Sequence, residues 1–221
     1  MSTSQKLTGF FAYLIFLSVC YLPTGRWHLG DPVLFEPFHV DNQIPFIGWT
    51  FWAYVSLYVF IVLAFWLVNE KKDYEAMVAS MIFCTFISAL IFLFFPTTVP
   101  RAALITDSEP VRTMRLALYQ LDPPTNCFPS LHVSFSMLAA IFMTKQKPQY
   151  GSLFVMWLIA IMISTMTFKQ HYLVDVLGGT LLAIVGYQLS VRGYFYGRKQ
   201  SKYQSQSTST PQNEPRLLQV D

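Results

Sequence analysis

Two residues near the end of the chain could form a reactive pair. His171 and Asp175 are four apart, so on a helix they would share one face, about one turn from each other. A carboxylate there can accept a hydrogen bond from one imidazole nitrogen, which leaves the other nitrogen with a free lone pair for attack. An acid inside an apolar run is costly and is therefore a candidate functional residue. The alternative is a buried His–Asp hydrogen bond that only ties helices together.

A second motif, Pro129-Ser130-Leu131-His132, begins an earlier apolar run. Proline and serine at a helix start predict backbone N–H groups without partners, and such an end attracts anions. Ser130 adds a hydroxyl donor, and a protonated His132 could give its proton to a departing oxygen. Taken alone, the motif is equally typical of a capped helix with a histidine at the membrane surface.

The composition places both motifs in a membrane protein. The chain has 221 residues, of which 53% are hydrophobic and only 12% charged. A soluble protein with several buried core helices would need more polar residues to cover them. Six apolar segments are about long enough to span a bilayer: Leu7–Leu22, Trp49–Val68, Ala76–Pro96, Phe128–Thr144, Tyr150–Phe168 and Tyr172–Val191. The sequence therefore predicts an all-α six-transmembrane helical bundle over residues 1–198. Residues 199–221 are rich in Ser, Gln and Thr and predict a disordered cytoplasmic tail.

The basic residues indicate how these spans are oriented. The net charge of +3 gives no reason to expect a nucleic-acid partner. With a cytoplasmic N-terminus, ten Lys and Arg residues fall inside and five outside, which obeys the positive-inside rule. The five outside are Arg26, Arg101, Arg112, Arg115 and Lys169. This topology predicts both termini in the cytoplasm and both motif histidines on the outer face. The predicted location is the cell inner (plasma) membrane, among membrane lipids.

The outer loops supply candidate cations for an anionic substrate. Arg101 follows the third span directly and could bind a phosphate or only reach toward lipid headgroups. Lys169 lies two residues before His171. Ser108-Glu109-Pro110 is typical of a helix start, and the spacing of the following residues predicts a short helix in the membrane surface. Arg112 and Arg115 are predicted on a face beside its apolar one, as lipid anchors or as part of a lid over the site.

Considered together, the two motifs favour phosphoryl transfer. A histidine nucleophile, an orienting acid, a second histidine as proton donor and an anion cradle describe a reaction through a phosphohistidine. Cations and donors around the phosphoryl oxygens would stabilise its transition state. The sequence has no HExxH motif and no paired cysteines, so it predicts no metal and no cofactor.

These motifs resemble the type 2 phosphatidic acid phosphatase superfamily, which also includes the vanadium haloperoxidases. Its Pro-Ser-x-His motif matches Pro129–His132, and its His-x-x-x-Asp motif matches His171 and Asp175. The resemblance covers the six-span layout and roughly residues 96–191. It implies that His171 attacks phosphorus, Asp175 orients it, His132 protonates the leaving group and Ser130 holds the phosphate, without a metal.

The sequence departs from the family pattern in its cations. The family's third motif begins Ser-Arg, where this chain has Ser164-Thr165. Its first motif has a lysine where this chain has Phe94, and Arg101 is preceded, not followed, by proline. Arg101 and Lys169 are therefore the predicted phosphate-binding cations. The form Gln-His-Tyr-x-x-Asp is similar to the inositol phosphorylceramide synthase and sphingomyelin synthase side of the superfamily.

Three functional expectations follow. The first is an integral membrane lipid phosphatase acting on a lipid phosphate or pyrophosphate. The second is a lipid phosphotransferase that moves a phospho-head group to a lipid alcohol. The third, from another class, is a non-enzymatic polytopic membrane protein or transporter, which would explain the spans and Asp175 but not the pairing of His132 with His171. The sequence predicts no oligomeric state.

Overall fold

A computed structural model describes residues 1–101, 109–121 and 124–207, and within them the chain is mostly helical. The α-helices are α1 (Thr3–Thr24), α2 (His39–Gln43), α3 (Phe51–Leu67), α4 (Lys71–Phe94), α5 (Glu109–Leu121), α6 (Leu131–Gln146), α7 (Gly151–Thr167) and α8 (Leu173–Ser207). Short 3₁₀ turns at Gly48–Thr50 and Pro148–Tyr150 lead into α3 and α7. Two short parallel strands, β1 (Val33–Leu34) and β2 (Thr97–Thr98), pair in the loops, and Thr97 also bridges to Asn126.

Five helical segments among the described residues are long and apolar enough to cross a membrane. They are Thr3–Thr24, Gly48–Leu67, Lys71–Phe94, Pro148–Thr167 and Leu173–Gly193. The predicted fourth span corresponds to α6, which has 16 residues. At 1.5 Å per residue this helix is about 24 Å long, shorter than the hydrocarbon core of a bilayer. The helical membrane class is confirmed, whereas the predicted count of six spans is not.

The short helix α6 lies at the centre of the bundle. It packs against α3, α4, α7 and α8, and most of its side chains are buried. Because other helices cover it, α6 does not need the length or the apolar surface of a lipid-facing span. Its first turn carries His132 and its last turn carries Lys145. We call the two ends of the bundle the histidine end and the lysine end.

Glycines on α8 allow the first turn of α6 to lie against it. A Cβ added at Gly179 would be 2.3 Å from the carbonyl oxygen of Ser130, and one at Gly178 would be 2.4 Å from the ring of Phe128. The Ser134 hydroxyl donates to the Gly179 carbonyl at 2.8 Å. The close approach fixes the Pro129–His132 motif beside the first turns of α8, which carry Asp175.

Two predicted segments extend beyond the described residues. The predicted helix start at Ser108 lies outside them, while α5 is described from Glu109. The tail was predicted to be disordered from residue 199, but α8 continues to Ser207, and residues 208–221 lie outside the described part.

Candidate active site

His171 and Asp175 meet at the start of α8. The distance between His171 Nδ1 and Asp175 Oδ2 is 3.3 Å, and both side chains are buried. The sequence predicted that they would share a helical face, but His171 lies in the loop two residues before α8. Asp175 is in the first turn, and its carboxylate also accepts from the Tyr172 backbone N–H at 2.9 Å. The carboxylate thus caps the helix and orients the imidazole, with Nδ1–H as the donor and Nε2 outside this hydrogen bond.

The loop that carries His171 is held by the end of α7. The backbone N–H groups of Gln170 and His171 both donate to the Thr165 carbonyl, at 2.9 and 3.1 Å. Lys169 has a positive φ of 54° and turns the chain back between α7 and α8. Because two backbone donors share one carbonyl, the loop that follows α7 has a fixed direction, and so has His171.

His132 faces His171 across the site. The two ring centroids are 5.7 Å apart. The other side of His132 stacks on the ring of Tyr54, with centroids 4.4 Å apart and planes 28° apart. Tyr54 in turn packs on Phe168, which immediately precedes the His171 loop. The aromatic stack therefore sets the position of His132 relative to His171.

Ser130 connects the two motifs through its backbone. Its N–H donates to the Asp175 carbonyl at 3.1 Å, and its hydroxyl oxygen accepts from the Val133 N–H at 3.4 Å as the N-cap of α6. The side chain is fully buried. Ser130 therefore joins its own motif to the residues around Asp175. Its hydroxyl oxygen caps helix α6.

The two predicted cations have different surroundings. Arg101 lines a small cavity together with His171, and its guanidinium lies 4.0 Å from the centroid of the Tyr119 ring. Lys169 points elsewhere, because its Nζ donates to the carbonyls of Asp41 and Ile44 at 3.1 and 2.5 Å. The structure therefore brings Arg101 to the cavity beside His171, whereas Lys169 is bound to the C-terminal end of α2.

The most deeply buried cation, Arg115, was not among the predicted site residues. Its guanidinium lies 4.7 Å from the Phe46 ring centroid and 5.3 Å from that of Phe168, and Nη2 donates to the Tyr119 hydroxyl at 2.8 Å. The predicted location on a face beside the apolar one is wrong, since Arg115 is fully buried. The signal was present in the spacing: Val111, four residues earlier, and Leu118, three later, pack on the same aromatic cluster.

Asp41 is a second acid that the sequence reasoning missed. Its Oδ1 accepts from the Leu173 N–H at 2.8 Å, and its Oδ2 accepts from the Phe38 N–H at 2.9 Å. The carboxylate thereby ties α2 to the first residue of α8. Burial, together with the carboxylates of Asp41 and Asp175, raises the pKa of Tyr172. Nothing in the local sequence pointed to Asp41, because its partner is 132 residues away.

A cavity opens beside the imidazole of His171. Its polar lining comes from Arg101, Asn126, Gln170 and His171. The cavity volume is about 10 Å³, close to the smallest space that holds one water molecule. Loop residues from three separate parts of the chain thus converge on the proposed nucleophile.

Comparison with known protein families identifies the superfamily to which this helical chain belongs. A family profile described as the PAP2 superfamily matches residues 36–189. The chain therefore belongs to the PAP2 superfamily, whose members include phosphatases and phosphotransferases. Both histidine motifs and α2 to α7 lie inside the matched range.

A more local similarity points to one side of the superfamily. The chain is 40% identical over 58 residues to the protein named inositol phosphorylceramide synthase catalytic subunit aur1 of Schizosaccharomyces pombe. The aligned part is 26% of this chain and 14% of that protein. The similarity to the superfamily and to its inositol phosphorylceramide synthase side, predicted from the motifs, is confirmed.

Proposed function

We propose that this protein is an integral membrane phosphatase that acts on a lipid phosphate or pyrophosphate through a phosphohistidine. One observation carries the proposal: His171, oriented by Asp175, faces His132 with ring centroids 5.7 Å apart in a site that Arg101 also lines. A structural His–Asp pair would need neither a second histidine nor a cation at a cavity.

The proposed reaction has two steps. In the first, His171 Nε2 attacks phosphorus, the bond from phosphorus to the lipid oxygen breaks, and His132 gives its proton to that oxygen. Asp175 stabilises the positive charge that forms on the His171 imidazole. In the second step, water attacks phosphorus, the P–N bond breaks, and His132 recovers a proton. Phosphate leaves and both histidines return to their starting states.

The phosphate would be held by groups from several loops. Arg101 is the proposed cation, since it lies at the same cavity as His171. Ser130 is proposed to donate its hydroxyl hydrogen outward while its lone pair accepts from Val133. For Lys169 the bonds to Asp41 and Ile44 support a positioning role, in which it holds α2 against the His171 loop.

The proposed orientation places the lysine end in the cytoplasm and the histidine end at the outer face. The excess of basic residues among the predicted cytoplasmic segments supports this assignment. A lipid substrate would then reach His171 from the outer leaflet, with its phosphate at the membrane surface.

The local similarity to the Schizosaccharomyces pombe protein favours a second candidate function. In this alternative the first step is unchanged, and a lipid hydroxyl instead of water attacks the phosphohistidine. The phospho-head group then passes to a lipid alcohol. The two candidates therefore differ in the second step and share the nucleophile.

The decisive experiment compares the full chain with its His171→Ala variant in detergent micelles containing phosphatidic acid or a prenyl diphosphate. The expected result is release of inorganic phosphate by the wild type and a loss of at least about 1,000-fold in the variant, since the nucleophile is gone. His39→Ala is the matched control, because His39 is exposed at the start of α2. Activity that survives in His171→Ala would overturn the nucleophile assignment.

Two further readouts separate the candidates. Acid-labile phosphate trapped on His171 is expected for either enzyme and excludes a transporter. Adding ceramide, or a diacylglycerol whose acyl chains differ from those of the substrate, then separates the two candidates. A phosphatase continues to yield inorganic phosphate, whereas a transferase yields a new phospholipid.

A further inference from the structure

Asn126 has a buried amide oxygen and is one of the residues that line the cavity beside His171. It lies between β2 and α6, where its backbone bridges to Thr97. The side chain is 7% exposed and lines the cavity together with Arg101 and His171. The loop that ends at the second histidine motif thus presents an amide group to the proposed reaction site.

The neighbouring hydrogen bonds determine which way the Asn126 amide points. The Thr24 hydroxyl donates to the Tyr21 carbonyl at 2.8 Å, so its single hydrogen is already used. The Thr24 oxygen must then accept, and it accepts from Asn126 Nδ2 at 3.1 Å. A flipped amide would place two acceptors against each other. The other atom, Oδ1, is therefore the carbonyl oxygen of the amide.

This oxygen has no hydrogen-bond partner within the described part of the chain. Leaving a buried acceptor without a donor costs about 1–3 kcal/mol, so such an atom in a cavity calls for a ligand that donates. The oxygens of an ionised phosphate only accept, and they would repel it. The ligand class that suits Oδ1 is an O–H donor.

We propose that Asn126 Oδ1 binds the water that hydrolyses the phosphohistidine; this inference rests on the proposed function. Water has two hydrogens, so it can give one to His132 and hold the other on Oδ1. An alcohol has one hydrogen and cannot satisfy both acceptors at once. Asn126 therefore favours water over an alcohol in the second step, and it is a specificity residue of the same site.

The step balances without any added reagent. A bond forms between the water oxygen and phosphorus as the bond from phosphorus to His171 Nε2 breaks, and that electron pair returns to the imidazole. One proton moves from water to His132, which became neutral in the first step. The other hydrogen stays on the new phosphate oxygen and is the one that Asn126 holds.

The test measures how the phosphohistidine is discharged in Asn126→Leu, which removes the acceptor at similar volume. We use the full chain in micelles, phosphatidic acid labelled at phosphorus, and either water alone or added diacylglycerol with different acyl chains, so that the transfer product differs from the substrate. Hydrolysis should fall about tenfold, as for loss of one hydrogen bond, while phosphate loading of His171 keeps its rate. Labelled enzyme should accumulate, and the ratio of transfer to hydrolysis should rise about tenfold.

Two further variants keep the test decisive if Asn126→Leu folds poorly. Asn126→Asp retains an acceptor oxygen but loses the bond to Thr24, so its ratio of transfer to hydrolysis should stay closer to wild type than that of Asn126→Leu. Thr125→Val removes the neighbouring bond to the Gly25 carbonyl, outside the cavity, and should leave the ratio unchanged. An unchanged ratio in Asn126→Leu, or loading and discharge that fall together, would overturn the inference. A wild type that forms no phosphohistidine would instead overturn the proposed function.

Discussion

Two buried carboxylates, one at each end of the bundle, are bonded in different ways. At the lysine end, Asp73 Oδ1 accepts from Lys145 Nζ at 2.6 Å and Oδ2 accepts from Gln146 Nε2 at 2.9 Å. At the histidine end, Asp175 Oδ2 accepts from His171 and from the Tyr172 backbone, while Oδ1 has no partner among the described residues. Asp73 thus joins α4 to the end of α6 with both oxygens, and Asp175 holds a titratable group.

The buried cations at the two ends differ in the same way. Lys6 at the lysine end donates to the Trp66 carbonyl and the Asn69 side chain, so its charge meets oxygen atoms. Arg115 at the histidine end lies over aromatic rings and bonds to a phenol. The comparison teaches that ionic groups closed on protein partners serve the fold. We infer that the spare acceptor of Asp175 serves the proposed reaction instead.

Replacing Asp175 with asparagine should give the largest effect on activity. The amide keeps the shape and the bond from the Tyr172 N–H, but it can present an N–H to His171 Nδ1 and favour the wrong tautomer. Phosphate release should fall by about 100-fold or more, with little change in the thermal unfolding temperature. Activity above a tenth of wild type would show that Asp175 serves the fold, as Asp73 does.

Arg115→Met should have an intermediate effect. The substitution keeps much of the side-chain length but removes the donor to Tyr119, whose ring also stacks on Arg101 at the cavity. Losing one charge-assisted hydrogen bond predicts a fall of about tenfold in kcat/KM, mainly through KM for the anionic substrate.

The control for this variant is Arg112→Met on the same helix. Among the described residues Arg112 pairs with Glu109, and both side chains are about half exposed or more. Such a pair contributes little, so kcat/KM should stay within about twofold of wild type. Equal losses in the two variants would mean that α5 contributes only its net charge to the site.

The sequence predicted those features of the molecule that depend on residues close together in the chain. The apolar runs predicted the helical membrane class, and the spacing of His171 and Asp175 predicted their proximity, although a helix cap, not a shared face, brings them together. The partners of Asp41 and Asn126 lie 132 and 102 residues away. Contacts between residues so far apart leave no periodic pattern in the sequence, because they depend on how the loops pack against each other.

The shortness of α6 shows a second limit of the sequence pattern. Its residues are as apolar as those of a span, because a helix covered on all sides and a helix facing lipid both exclude charge. Length separates the two cases, and length depends on where a helix is capped. Ser130 and Lys147 set those ends through hydrogen bonds to Val133 and Met143.

Asp73→Asn should have the smallest effect on activity and a clear effect on stability. The substitution removes the charge that pairs with Lys145 and leaves one oxygen to bond both donors at the end of α6. Unfolding free energy in detergent should fall by about 1–3 kcal/mol, with phosphate release at low temperature unchanged. Glu75→Gln is the matched control on the same helix, since its pair with Lys71 is exposed and should contribute under about 1 kcal/mol. If Asp73→Asn instead lowered activity while leaving stability intact, the two ends would be coupled through α6, and the lysine end would be part of the catalytic machinery.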